Sequence, residues 1–258
     1  MTASHTAESR SGAQSVERAL AVLCSFEHAS GDLGISDIAH ATGLAVSTAH
    51  RLTRALCAAG LLAQDERTDR YQLGPVLVVL GRLAEQRLGL AVVLPDLEQL
   101  ASDTGESVNL GVLSGSDVLV MVDIPSDKPL RFDQAPGTRV PAHTSAMGKC
   151  MLAHSGDINA AVSALPELEK LTPRTITNRR RLRAELETVR ERGWALNDEE
   201  RNPGVRAVAV PVLHGDRAIA AIAVQGPITR LPDSALPTLA ERAGQTATKV
   251  APLLTTIH

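Results

Sequence analysis

The apolar residues of this chain change their period near Gly105, and that change limits the possible folds more than any other feature. Before it they recur at three- and four-residue spacing, the pattern of helices that bury one face. After it come SVNLGVL and VLVMVDI, flanking SGSD, and VRAVAVPVL and AIAAIAVQG, flanking HGDR, which predicts two antiparallel hairpins. Helical patterns lie between and after the hairpins without strict strand-helix alternation. The expected class is therefore α+β, with an antiparallel sheet and flanking helices in the second part. A chain of 258 residues is long enough for two domains, each with its own core.

Aromatic residues make up only 2% of the chain, so those cores have to be built from Ala, Val, Leu and Ile. Cys24, Cys57 and Cys150 are far apart and form no C-x-x-C pair, which suggests neither a disulfide framework nor a zinc site and fits a reducing cytoplasm. No run approaches the roughly 18 apolar residues of a membrane span. The N-terminal MTASHTAESRSGAQ lacks the apolar centre of a signal peptide, so residues 1–13 read as a disordered leader. A soluble cytoplasmic protein is expected, with no membrane partner and no cofactor.

Residues 14–74 carry the pattern of a winged helix-turn-helix. Ser15 is placed to cap a first helix with Val16, Ala19, Leu20 and Leu23 on one face. Ser36 then caps DIAHATG, where Ile38, Ala39 and Thr42 share a face and Gly43 turns the chain. A third helix, from about Ser47, puts Ala49, Leu52, Leu56 and Ala59 inward and stops at Gly60. LLAQ and RYQLG, separated by DERTD, predict a hairpin. Gly74 and Pro75 open a sparsely charged helix over 75–90, lined by Leu77, Leu80, Leu83 and Ala84, which serves as a linker and invites pairing with a second chain. Residues 91–258 form the second domain. Its expected helices run from about Pro95 to Thr104, from near Ala146, from about Arg179 to Arg192 between Asn178 and Gly193, and from Ser234 toward Leu254.

A net charge of -3 argues weakly against nucleic acid, whose phosphates need clustered Lys or Arg. Locally the balance differs: between Asp37 and Asp65 there is no carboxylate, while His40, His50, Arg51 and Arg54 fall inside that window. Ser47 and Thr48 offer short hydrogen-bonding groups for phosphates or base edges, His50 and Arg51 follow one turn deeper, and Arg54 is set for the backbone. Ser36, Val46 and the wing residues Arg67 and Arg70 complete the candidate DNA surface, although Asp65, Glu66 and Asp69 dilute it. The competing reading keeps the winged helix as a dimerisation or structural module whose basic residues are merely solvated. Salt dependence separates the two, because phosphate contacts lose affinity steeply as salt rises.

Motifs for catalysis are missing: there is no G-x-S-x-G elbow, no G-x-x-x-x-G-K-[ST] loop, no G-x-G-x-x-G and no H-E-x-x-H. His143, Ser145 and Cys150 could be drawn as base and nucleophile, but Cys150 falls beside Met151 and Leu152 on the core side of an expected helix. No catalytic and no metal-binding residue is assigned. The segment NRRRLRAELETVRERG looks like a second basic surface, yet Glu185, Glu187 and Glu191 interleave with its arginines, which favours a salt-bridged solvent face.

The series SVERALAVL, ISDIAHATGL, STAHRLTRAL and YQLG, followed by SVNLGVL, PAHTSAMGKCMLA, RGWALNDEERNPGVRAVAVPV and AIAVQGP, resembles the IclR family of bacterial transcription regulators over nearly the whole chain. The resemblance implies a winged helix-turn-helix joined by a helical linker to a GAF-like effector domain, in homodimers or dimer-of-dimers tetramers. It implies binding to a near-palindromic double-stranded operator among the nucleoid DNA of a bacterial cytoplasm, and control of catabolic or secondary-metabolism genes. Repression relieved by a small organic acid is the mode it favours. Activation, or a ligand-sensing or scaffolding module that does not bind DNA, are the alternatives.

The resemblance also places the effector. The loop and helix start HTSAMGK would contribute Ser145, Ala146 and Met147 with their backbone N–H groups; Asn197 and Ala207 would line the cavity from ALNDEERNPGVRA, and Ala223 and Gln225 from AIAVQGP. Small-acid binders of the family tend to carry Asp, Cys and two Ser at the positions of Asn197, Ala207, Ala223 and Gln225. The two alanines here remove hydrogen-bonding capacity and enlarge the space, so a bulkier, more apolar effector is expected. Met121 and Val205 either line the same space or are core residues, and Asn197 either meets the effector or braces the turn Asp198, Glu199 and Glu200. An effector acts as a switch only by binding one arrangement of the domains better than the other.

Overall fold

The computed structural model describes residues 4–27 and 29–254. The chain divides into two units, one up to Glu85 and one from Gln86.

The first unit opens with helix α1 (Ser4–Cys24). The expected leader is thus helical from Ser4 on, and Ser15 lies inside the helix rather than at its cap; residues 1–3 fall outside the described residues. The segment before Ser15 holds no proline and a single glycine, Gly12, whose cost in a helix is about 1 kcal/mol. A helix anchored by its C-terminal half therefore propagates backward through it. The inward face is Ala19, Val22 and Leu23, with Phe26 in the turn just past the helix packed beside them, whereas Val16 and Leu20 are exposed.

Helix α2 (Ile35–Thr42) starts after Gly34, so Ser36 is an exposed first-turn residue and not the cap. Asp37 takes over the capping work: its Oδ2 accepts from the Gly34 N–H at 2.9 Å. Gly43, at φ 67°, closes the helix in a left-handed conformation and donates to the carbonyls of Ala39 and His40. Helix α3 (Val46–Ala58) buries Ala49, Leu52, Thr53 and Leu56, while Ala59, expected inward, is exposed. Strands β1 (Leu62–Asp65) and β2 (Arg70–Leu73) form the hairpin, and Leu33 bridges to Tyr71 as a third contributor. The eight buried residues of this core include Tyr71 and no other aromatic side chain. Helix α4 (Pro75–Leu88) follows; Val76, Val78, Val79, Leu80 and Leu83 on it are exposed.

The second unit begins in earnest with helix α5 (Leu90–Thr104), which starts five residues before the expected Pro95 and carries that proline inside. A helix-interior proline costs about 3 kcal/mol. The buried face of Leu90, Val93, Leu97, Leu100 and Ala101 more than offsets it, at roughly 1.5–3 kcal/mol per large apolar side chain.

Strands β3 (Ser107–Ser114) and β4 (Asp117–Ile124) make the first hairpin. Strand β5 (Arg139–Pro141) and helices α6 (Ala146–Ala153), α7 (Ile158–Ala164) and α8 (Arg179–Arg192) intervene before β6 (Ala195–Asp198). The second hairpin is β7 (Val205–His214) and β8 (Arg217–Pro227), and helix α9 (Leu236–Val250) comes last. All six strands join one antiparallel sheet in the order β5-β4-β3-β8-β7-β6. The winged helix-turn-helix, the helical α4 and the antiparallel sheet with flanking helices bear out the expected α+β class.

The sheet has two chemically different faces. Under α5 and α9 lie Val108, Leu110, Val210, Val212, Ile222 and Val224. Under α6 lie Ala207, Ala209, Ala221 and Ala223. The alanines let α6 come so close that the Cys150 Sγ donates to the Ala209 carbonyl at 3.0 Å. At Gly148 a Cβ would stand 2.3 Å from the Ala142 carbonyl oxygen, so only glycine fits there.

Candidate DNA surface and ligand cavity

On α3 the exposed residues Ser47, His50, Arg51 and Arg54 recur at the three- and four-residue spacing of one helix face, opposite the buried Ala49, Leu52 and Leu56. Val46 joins them at the helix start, exposed, and Thr48 is half-buried beside it. The face carries two guanidinium groups, one imidazole and no carboxylate. Arg67 is exposed in the wing turn, where its backbone N–H is held by Asp65 Oδ1 at 2.8 Å.

Arg70 is different from the expectation. Its guanidinium donates to the Asp32 carbonyl at 2.9 and 2.7 Å and to Asp37 Oδ2 at 3.0 Å. It therefore ties the wing to the segment before α2 and is occupied there, and its partners lie 33 and 38 residues away, beyond any local reading of the sequence.

In the second unit one cavity lies between the small-residue sheet face and the start of α6. Its enclosed space is about 10 Å³, room for about one water molecule, and its lining includes Ser145, Ala146, Met147, Asn197, Ala207, Ala223 and Gln225, seven of the nine residues expected there. Register explains the convergence: Asn197, Ala207 and Gln225 occupy one row across β6, β7 and β8, and Ala223 lies on the same face two residues before Gln225. Ser145 is the N-cap of α6, its Oγ accepting from Gly148 N at 3.2 Å, so the first helical N–H groups of Ala146 and Met147 have no acceptor within the helix.

Met121 and Val205 are not on the lining. Met121 is the extra residue where the register slips, Leu110 facing Val122 but Gly111 facing Val120, and the bulge turns it to the α5 side, where it packs in the branched-aliphatic core. Val205 is buried at the start of β7, its carbonyl accepting from the Glu199 N–H at 3.1 Å.

Three lining residues escaped the sequence reading: Gln134, Val140 and Arg201. Gln134 reaches from the segment before β5 and donates to Gln225 Oε1 at 2.7 Å. The lining is correspondingly more polar than expected.

Beneath the cavity a buried ionic group holds the β6 turn. Lys149, 1% exposed on α6, lies 2.5 Å from Glu200 Oε1 and 3.5 Å from Glu185. Burial pushes the Glu200 carboxyl up, against the pull of Lys149, and its Oε2 has no partner. Asn197 braces the same turn, its Oδ1 accepting from the Glu200 N–H at 2.9 Å. Burial also acts on Asp198, but Arg206 and Arg174 outweigh it and hold that carboxyl low. Cys150 is fully buried and its thiol is pushed up to about 12 by that burial, while His143 contacts the Glu169 carbonyl at 3.0 Å. A protonated core thiol and an imidazole engaged elsewhere make no nucleophilic pair.

On helix α8 the arginines do not form the expected run of ion pairs along the helix. Arg179 donates to the carbonyls of Val162, Leu165 and Pro166, and Arg183 to Ser163 Oγ, so both fasten α8 to the α7 segment. Glu185 meets Arg192 and Lys149.

The family description "IclR helix-turn-helix domain" matches residues 15–66, and "Bacterial transcriptional regulator IclR C-terminal" matches residues 86–252. The chain belongs to the IclR family of transcriptional regulators. As an IclR-family protein it is a DNA-binding regulator and its relatives are not enzymes. It is 35% identical over 239 residues to the HTH-type transcriptional regulator BhcR of Paracoccus denitrificans (strain Pd 1222), covering 91% of this chain and 85% of BhcR. It is 28% identical over 246 residues to the HTH-type transcriptional repressor AllR of Escherichia coli (strain K12), covering 94% of this chain and 91% of AllR. Its fold matches that of an IclR homologue from Microbacterium hydrocarbonoxydans complexed with 4-hydroxybenzoate, with a TM-score of 0.77, 24% identity and coverage of 93% and 98%. No helix among the described residues is long and apolar enough to cross a membrane, and no group of His, Cys, Asp and Glu among them could hold a metal ion.

Proposed function

We propose that this IclR-family protein represses genes of catabolism or secondary metabolism from the bacterial cytoplasm, and that a small organic acid entering the cavity under α6 relieves the repression. The observation that carries the DNA half of this reading is the carboxylate-free face of α3. Ser47, Thr48, His50 and Arg51 would enter the major groove, with Val46 against it, and Arg54 and Arg67 would take phosphates. Ser36, exposed in the first turn of α2, is placed for a backbone contact, whereas Arg70 supports the wing from within. The named repressor among the relatives supports the sign, and the acid-bound homologue of this fold supports the ligand class.

Two such helices would read a near-palindromic operator if two chains pair. The exposed apolar residues of α4, Val76, Val79, Leu80 and Leu83, together with Val16 and Leu20 on α1, favour a homodimer, alone or as a dimer of dimers. Disrupting α4 with Leu80→Pro is expected to abolish ordered dimers and effector control of DNA binding, as read by sedimentation and operator release.

Genome-wide pull-down of the protein, followed by transcript counts at the recovered sites in a deletion strain, tests the sign. Transcripts at those sites rise on deletion if the protein represses them. A fall would make it an activator, and failure to recover any discrete site would leave the sensing or scaffolding module as the better account.

A further inference from the structure

One side of the cavity wall, residues 125–138 between β4 and β5, is held to the sheet by polar contacts rather than by apolar burial. It contains no helix or strand, only Ser126 and Gln134 in it are buried, and Leu130 is 65% exposed. A segment with so little buried apolar surface lies at the low end of local stability.

Its anchorage differs along its length. At the start, the Ser126 N–H donates to Ser107 Oγ at 3.0 Å and its hydroxyl to the Gly105 carbonyl at 2.9 Å; Lys128 reaches Glu106 at 3.0 Å, and Arg230 donates to the Leu130 carbonyl at 2.8 Å. At the end, the Gly137 N–H donates to the Val120 carbonyl at 2.8 Å, and the Thr138 carbonyl accepts from the Val120 N–H at 2.9 Å. Between these ends, the hydrogen bonds that hold residues 131–136 to the sheet, among the described residues, all pass through Gln134 and Gln225. The Gln134 backbone N–H is bonded to the Asp123 carboxylate, its side-chain Nε2 donates to Gln225 Oε1 at 2.7 Å, and Gln225 Nε2 donates back to the Phe132 carbonyl at 3.1 Å.

The closed arrangement also has a cost. Asn109 gives its Nδ2 to Asp123 at 2.7 Å, and its Oδ1 is left without a donor, as is Gln134 Oε1; both oxygens are buried. A buried acceptor without a donor is unfavourable, and opening to water relieves it.

We propose that residues 131–136 are a strap that opens and closes over the cavity, with the Gln134–Gln225 pair as its latch. The room beneath it is about that of one water molecule, so a larger occupant reaches Ala207 and Ala223 only after the latch lets go. Its ends, fixed at Leu130 and Gly137, are the hinges, and Gly137 at φ 92° has the backbone freedom that a hinge uses. Resting on the reading of this unit as the effector domain, release of the latch is the step that admits the effector.

A thiol placed in the cavity reports opening without any effector. In Ala223→Cys the new side chain stands on the lining, where the native methyl is 3% exposed, and Cys150, fully buried under α6, is the control for loosening of the whole unit. Labelling of the full-length protein by iodoacetamide, read at each site by mass spectrometry, should be slow at both. Adding Gln134→Ala should speed labelling at position 223 by about two- to tenfold, the effect of losing one net hydrogen bond on an opening equilibrium, with Cys150 unchanged. Hydrogen exchange distinguishes opening from a mere hole in the wall: the amides of residues 131–136 should exchange faster by a similar factor. Gln225→Ala should act in the same way from the other half of the latch. If Ala223→Cys does not fold, exchange in Gln134→Ala against the wild type decides alone. The strap is overturned if position 223 labels no faster without the Gln134 side chain, if it does so with no change in exchange at 131–136, or if Cys150 gains in step. The effector reading fails separately, if no small molecule releases the protein from its operator.

Discussion

The two faces of the six-stranded sheet use the same strands for opposite purposes. Toward α5 and α9 most residues are branched aliphatics, among them Val108, Leu110, Val212, Ile222 and Val224. Toward α6 the same strands present Ala207, Ala209, Ala221 and Ala223, with Asn197, Asn109 and Gln225 among them. The aliphatic face derives its stability from buried area, at roughly 25 cal/mol per Å². The alanine face gives up much of that area, and in exchange brings a helix start, a buried ion pair and a cavity close to the strand backbones. The proposed ligand site is therefore a place where side-chain volume has been withheld, and its stability rests on polar pairs that fail sharply when one partner is removed.

That contrast predicts the largest effect on the alanine face. Lys149→Met should destabilise the second unit by about 3–5 kcal/mol, because it strands the Glu200 carboxylate in a buried place. Adding Glu200→Gln should recover a substantial part of the loss. Urea titrations of the single and double variants measure it, and a single-variant cost under about 1 kcal/mol would mean that the pair is wetter than its burial suggests.

On the aliphatic face, Ile222→Ala should cost about 2–5 kcal/mol by the same measurement, without altering ligand binding. Its mirror test is Ala223→Leu, on the cavity lining, which overpacks the narrow gap beneath α6 and should cost about 1–3 kcal/mol while also closing the cavity to ligand. Equal ligand effects from both substitutions would erase the functional distinction between the faces.

The smallest effects are in pH dependence, where two buried carboxylates differ. Burial works against Glu106, but hydrogen bonds from Arg230 and Lys128 on its two oxygens hold it below the ordinary value of 4.5. Its contribution to stability is present above that value and is lost as pH falls through the lower folded one. Glu200 is raised by burial, so its contribution runs the other way, largest below 4.5 and lost as pH rises through its folded value. Glu106→Gln should accordingly flatten the acid loss of Tm, and Glu200→Gln should steepen it.

How much of this was legible in the sequence follows the same division. The two hairpins could be read because SGSD and HGDR interrupt alternating runs, and both close where expected, Ser114 facing Asp117 and His214 facing Arg217. Helix α8 was legible from both ends, since Asn178 caps it and Gly193 ends it. Where packing outweighs local preference the reading failed: α5 runs through Pro95, and α1 runs back past Ser15. The bulge that reverses Met121 leaves no mark in composition. Gln134 and Arg201 lie in loops 67 residues apart in number, without period or motif, and only the sheet register brings them to one cavity. The aliphatic face, which repeats, is visible in a sequence, whereas a site assembled from single residues in loops is not.

The most direct measurement is fluorescence anisotropy of the purified protein on a labelled duplex from a recovered genomic site, against a scrambled duplex, over a series of salt concentrations. The account predicts sequence-dependent binding whose logarithmic salt slope is about -4, from Arg54 and Arg67 of two chains each neutralising a phosphate. Arg54→Ala should make that slope shallower, and Arg70→Ala should act through a lower Tm of the first unit. Equal affinity for both duplexes, or a slope near zero, would contradict it.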